Sequence, residues 1–227
     1  MMQHTDTTEP LTLRNERRDF PEWHLGRPAY ALWALEFDTA VVMPHMEAAQ
    51  RGLAPWLLEG YCRQPHITLS LCGLPNASPL HADDFGPDRM HAQVQALQRA
   101  QPAVFEIEIG GLDTFSSVPY LAVQEPGGQL AALRACLANA DTQGVPDSYV
   151  AHVTVGLYAD VWPLAMVQTH LDRCVLPRPV RVPVTGVSLL SYAAAEIGGP
   201  LQCLASYTFG SGRLHWHGTP LFVAANG

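Results

Sequence analysis

The chain predicts an α+β fold of two similar lobes around a shared cleft. Three observations carry this. The order strand, helix, histidine-containing strand occurs over residues 30–72 and again over 118–158. Both histidine strands hold a His-X-Thr triplet, in PHITLSLCG (65–73) and AHVTVGLY (151–158). A length of 227 residues, 48% of them apolar, is enough for one large domain or two packed halves.

The elements follow in order. Residues 1–28 are rich in charge and end in GRP, which predicts a flexible lead-in before a single bilobal domain over 29–227. YALWALEF (30–37) is an apolar run of strand length. A helix is expected over 40–53, with Pro44 near its first turn. After the His66 strand, residues 87–101 start with Pro and align Met90, Val94 and Leu97 on one helical face. VFEIEIGGL (104–112) alternates as a strand, with Glu106 and Glu108 on its wet face, and 116–126 gives another. Leu130, Leu133 and Leu137 mark a helix over 129–140. Leu164, Val167 and Leu171 mark one over 162–173, after the His152 strand. Residues 180–192 and 201–210 read as a closing hairpin, and the tail from Gly212 has no clear period.

Composition narrows the function classes. The formal net charge is −8, and Arg is the only cationic side chain besides His. Tight binding to a long duplex needs many neutralised phosphates, so such a partner is not expected. A small or terminal phosphate in a local pocket stays open. No apolar run approaches the roughly 20 residues of a membrane span, so no membrane partner is expected. The N-terminus lacks an apolar signal core, which predicts a cytoplasmic location. Five scattered cysteines without a CxxC pair predict reduced thiols rather than a disulfide framework.

Residues two apart in a strand share a face. His66, Thr68, Ser70 and Cys72 therefore point one way, and Ile67, Leu69 and Leu71 the other. His152, Thr154, Gly156 and Tyr158 share a face opposite Val153, Val155 and Leu157. Two imidazoles facing one cleft can take a proton from a nucleophile and give one to a leaving oxygen, since their ordinary pKa lies near 6.5. The threonine hydroxyls can donate to phosphoryl oxygens. One HxT triplet is a weak signal, and His217-Gly218-Thr219 is a third match that reads as a turn. Either histidine alone reads as a satisfied core residue. The matched pair, in alternating strands at corresponding places, does not.

PHITLSLCG and AHVTVGLY resemble the paired HxTx motifs of the two-histidine phosphoesterase superfamily, nearest to the bacterial 2′-5′ RNA ligase and RNA 2′,3′-cyclic phosphodiesterase group. GGLDTFSSVPYLAV (110–123) is similar to that family's Gly…Phe segment. The resemblance spans most of residues 29–210. It implies a LigT-like bilobal fold, with an antiparallel sheet in each lobe and helices outside a central cleft. It implies metal-free, cofactor-free chemistry on 2′,3′-cyclic phosphates or 2′-5′ linkages at a nucleotide or RNA terminus. Carried over by motif, His66 and His152 form the acid–base pair, and Thr68 and Thr154 hold the phosphate. One departure stands at GLY (156–158), where Tyr158 lies near a position at which many members carry a cation.

Further substrate contacts are expected from Phe115, Tyr120 and Tyr158, as stacking rings, and from Arg63 beside the first motif. His215 and His217 have strand spacing for metal ligands but no evident third ligand, so no metal is expected. Two other functional readings keep the same cleft. One is cleavage of 2′-5′-linked or cyclic oligonucleotide signals; the other is a non-catalytic module gripping a phosphate end.

Overall fold

The structure, a computed structural model, describes residues 9–139 and 149–222. Among the described residues, ten strands form two sheets. In the larger, β1 (Ala29–Leu35) runs antiparallel to β2 (Ile67–Pro75), which pairs in parallel with the short β3 (Asp84–Phe85). On the other side of β1 lie β8 (Gly186–Ala193), β9 (Gln202–Thr208) and β10 (Arg213–Trp216), all antiparallel. The smaller sheet has the order β6-β5-β4-β7. Its strands are β4 (Phe105–Thr114), β5 (Pro119–Gln124), β6 (His152–Thr154) and β7 (Val180–Val184).

The helices lock the lobes together. α1 (Pro21–His24) is a single turn. α2 (Thr39–Leu53) follows β1 in the chain yet packs on β4 and β7 of the other sheet. After α3 (Pro87–Ala100), α4 (Gln129–Asn139) follows β5 yet packs on α3 and β2. Each lobe thus lends a helix to its neighbour, and one apolar cluster runs through both. α2 starts at Asp38, whose carboxylate accepts the Ala40 N–H at 3.0 Å, and it carries Pro44 past its first turn. α5 (Leu164–Leu171) follows Pro163 and buries Val167 and Leu171 as expected. The exchange also brings β2 and β6, the two motif strands, into contact.

Two expectations are corrected. The run 180–192 is two strands, not one: β7 joins the small sheet and β8 the large, with the crossing at Thr185. Gly186 permits it, since a Cβ there would lie 2.4 Å from the Tyr207 carbonyl oxygen. The alternation of β2 fails beyond Leu69. Its register against β1 shifts twice, once at Leu69 and once at Cys72. These bulges expose Leu71, at 60%, and bury Cys72.

Residues 9–28 form a strap with specific hydrogen bonds. Leu164 N–H donates to Pro10 C=O at 2.8 Å, and Thr12 N–H to Trp162 C=O at 2.8 Å. Leu13 N–H donates to Ser116 C=O at 2.7 Å, and Asn15 N–H to Tyr158 C=O at 2.9 Å. Thr12 is buried, and its hydroxyl bridges Asp160 C=O and Trp162 N–H. These bonds satisfy backbone groups whatever the side-chain composition, so charge content gave no sign of them.

The strap's other end is held in the larger lobe. Arg27 donates to Asp83 at 2.7 Å and Asp84 at 2.6 Å, and to the Trp23 and His24 carbonyls. The Asp84 side chain is fully buried. Burial opposes its charge, but Leu80 N–H, His81 N–H, Arg27 and Asn76 together hold its carboxyl below the usual carboxylate range. Removing a partner from a buried pair costs roughly 3–5 kcal/mol. Asp84 keeps three other donors, so Arg27→Ala should cost less, about 2 kcal/mol, in urea unfolding monitored by circular dichroism. A loss below about 0.5 kcal/mol contradicts the clamp.

Candidate active site

The site forms where the two motif strands meet. His66 sits just ahead of β2, after Pro65. Gln64 is fixed by Leu201: its amide donates to Leu201 C=O at 3.1 Å and accepts Leu201 N–H at 2.7 Å. The Gln64 carbonyl lies 2.8 Å from His66 Nδ1. His152, at the start of β6, repeats this with the Val150 carbonyl at 2.8 Å from its Nδ1. A carbonyl only accepts, so both Nδ1 atoms carry hydrogen. Each neutral ring then presents a lone pair at Nε2.

His66, Thr68, His152 and Thr154 line one cleft of about 370 Å³. The two threonines follow from period 2 on their strands. The first motif is braced from α4. Tyr149 donates to Thr68 C=O at 2.8 Å, while Arg134 lies 3.4 Å over the Tyr149 ring and donates to Leu69 C=O at 2.6 Å. Neither residue was expected from the sequence. The only sign was that Tyr149 lies three residues ahead of His152.

Burial disfavours the charged imidazolium in both rings. It pushes His66 down to about 4, despite the hydrogen bond to Gln64. It lowers His152 as well. Both rings are therefore neutral in the free cleft at pH 7.

The expected substrate contacts divide. Arg63 lines the cleft, its guanidinium 4.2 Å over the Tyr192 ring and its Nε donating to Gly199 C=O at 3.3 Å. Phe115 and Tyr120 do not line it. They stack on each other at 4.3 Å and pack against the His152 ring at 5.0 and 5.4 Å, holding it from behind. Tyr158 is fully buried, and its hydroxyl bonds Thr114 at 2.6 Å. The reason is that β6 stops at Thr154. The chain then pairs with 56–58, through Leu58 N–H to Leu157 C=O and Ala159 N–H to Trp56 C=O, which turns Tyr158 into the core.

The cleft has walls that motif reasoning missed: Asn15, Trp23, Tyr61, Tyr192 and Glu196. They come from the strap and from connecting segments, where no period marks a face. Gly198 makes room beside Tyr61. Its φ is +69°, and a Cβ would lie 3.0 Å from the Tyr61 ring. His215 and His217 are exposed on β10 and just beyond it, and His217 bonds Ser206 at 2.8 Å. Among the described residues, no group of three or more His, Cys, Asp or Glu is placed to hold a metal ion. Among them, no helix is long and apolar enough to cross a membrane.

Fold and cleft together define a two-lobed protein with paired HxT strands, the architecture of the two-histidine phosphoesterases. The chain belongs to the 2′-5′ RNA ligase superfamily, whose sequence profile matches residues 41–196. The fold is shared with E. coli LigT complexed with 3′-AMP, at 14% identity and a TM-score of 0.56, covering 81% of this chain and 99% of that one. It is shared with E. coli LigT in apo form, at 17% identity and 0.52, over 81% and 99%. The Thermus thermophilus protein TT0787 has it too, at 16% identity and 0.52, over 79% and 97%. No curated protein sequence matches the chain.

The depressed His66 has a consequence for stability. The unfolded chain binds a proton near pH 6.5, but the folded one only near 4. Stability from the neutral buried ring is thus complete above pH 6.5 and is lost as pH falls towards 4. The loss is at most about 3 kcal/mol. Unfolding curves of His66→Gln against pH should decline less steeply over that window. Parallel curves for the two proteins contradict the assignment.

Proposed function

We propose that the protein is a phosphodiesterase that opens 2′,3′-cyclic phosphates at the end of a nucleotide or RNA. The observation that carries this is the matched pair of imidazoles, each with Nδ1 tied to a carbonyl, lining one cleft with two threonine hydroxyls. One neutral Nε2 takes a proton from water as its oxygen attacks phosphorus. The other ring, protonated, gives its Nε2 proton to the departing ribose O3′. The P–O3′ bond breaks and a 2′-phosphate remains. Thr68 and Thr154 donate to the non-bridging oxygens as charge grows there.

The diester anion supplies the protonated ring. A negative charge beside an imidazole favours its charged form, which offsets the burial that keeps both rings neutral in the free cleft. A 5′-hydroxyl in place of water would give 2′-5′ ligation without ATP. The similarly folded E. coli LigT has been crystallised with 3′-AMP and with phosphate, which agrees with a phosphate-centred site. The acid, base and donors are all side chains of this chain, so turnover should persist with chelator present.

Two outcomes are expected on 2′,3′-cyclic nucleotides. His66→Ala and His152→Ala each lose on the order of 10³-fold in kcat/KM while keeping their circular dichroism. Near-normal hydrolysis by either variant overturns the mechanism. The pH profile of kcat/KM reports the free enzyme. Because burial lowers both rings, its maximum should lie on the acid side of pH 6.5. A maximum above pH 8 is incompatible with this pair.

A further inference from the structure

The strap precedes the segment that the superfamily profile matches, 41–196, and two of its residues line the catalytic cleft. Asn15 is one, and Trp23 is the other. Trp23 leaves 38% of its surface open at the cleft wall, an unusual exposure for so large a ring. It is firmly placed all the same. Its carbonyl accepts from Arg27, which is clamped on Asp83 and Asp84. The next residue, His24, is buried and bonded to Asp19 at 2.7 Å.

Trp23 belongs to an aromatic series. Its ring centroid lies 5.6 Å from that of Tyr30, and Tyr30 stacks on Tyr192 at 5.5 Å. Tyr192 carries Arg63 on its face. Trp23, Tyr61, Arg63 and Tyr192 thus share one cleft with His66 and His152. Flat apolar faces and a guanidinium plane suit a planar heterocycle, and every nucleobase offers a π face. A cleft of about 370 Å³ is at the small end for a ligand pocket, which fits one nucleotide rather than an extended strand.

We propose that Trp23 is a specificity-determining residue, and that the strap and the 61–63 and 192 side chains form a base subsite for the terminal nucleotide. The inference rests on the proposed phosphodiesterase reading for its position beside the phosphate. Stacking replaces the Phe115 and Tyr120 contacts expected from sequence, because those two rings are spent on supporting His152. Arg27 acts through Trp23 as a positioning residue.

The test compares a 2′,3′-cyclic nucleotide with the base-free ribose 2′,3′-cyclic phosphate. Wild-type protein should prefer the nucleotide. Trp23→Ala should lower that preference about tenfold, mainly through KM, and Trp23→Phe should restore most of it. A preference unchanged in Trp23→Ala overturns the proposal. A second arm needs no turnover. Adenosine 2′-monophosphate should quench tryptophan fluorescence in the wild type and far less in Trp23→Phe, while inorganic phosphate should quench neither. Undiminished quenching in Trp23→Phe also overturns the proposal. If wild-type protein hydrolyses no cyclic phosphate, the phosphodiesterase reading falls while the fluorescence arm still decides the subsite.

Discussion

The contact between β2 and β6 is the constraint on which the rest of the molecule depends. Each strand alone carries one imidazole and one hydroxyl, which perform no paired proton transfer. Bringing them together requires two sheets to stand edge to edge, and two sheets have no intrinsic reason to do so. The helix exchange supplies the reason. α2 leaves β1 to cover β4 and β7, and α4 leaves β5 to cover β2. Their apolar faces, with Val42 and Met46 on one and Leu133 and Leu137 on the other, belong to a single buried cluster. Pulling the lobes apart would expose both faces, at roughly 1.5–3 kcal/mol for each large side chain. The cleft is held by the core.

The two halves of the site are alike in bonding and unlike in environment. Both rings give Nδ1–H to the carbonyl two residues upstream, so both expose Nε2. His66 is almost fully enclosed, whereas His152 is half-buried, with Phe115 and Tyr120 packed against its ring. Burial lowers the pKa of both rings, and the Gln64 and Val150 carbonyls oppose it in each. The brace from Arg134 and Tyr149 adds a second asymmetry, since among the described residues its hydrogen bonds go to Thr68 and Leu69 of the first motif.

Much of this was legible in the sequence, and the limits have physical causes. Period 2 placed His66 with Thr68 and His152 with Thr154, because those positions lie where each strand is still regular. It failed at Leu71 and Cys72, where bulges in β2 shift the register. It failed at Tyr158, because β6 ends four residues earlier and the chain pairs with 56–58 instead. α3, α4 and α5 were found from their apolar spacing, but the exchange of α2 and α4 between sheets was not, since a helix's face says nothing of which sheet it covers. The strap escaped notice because backbone hydrogen bonds hold its first half. Its aromatic wall residue, Trp23, lies in a four-residue helix too short to show a period.

In the proposed reaction one phosphate sits between both imidazoles and both hydroxyls. A crystal structure with a nucleoside 2′-monophosphate tests it most directly. Phosphate oxygens are expected within hydrogen-bond reach of Nε2 of His66, Nε2 of His152 and the hydroxyls of Thr68 and Thr154. A phosphate bound to one motif alone, or outside the cleft, contradicts it.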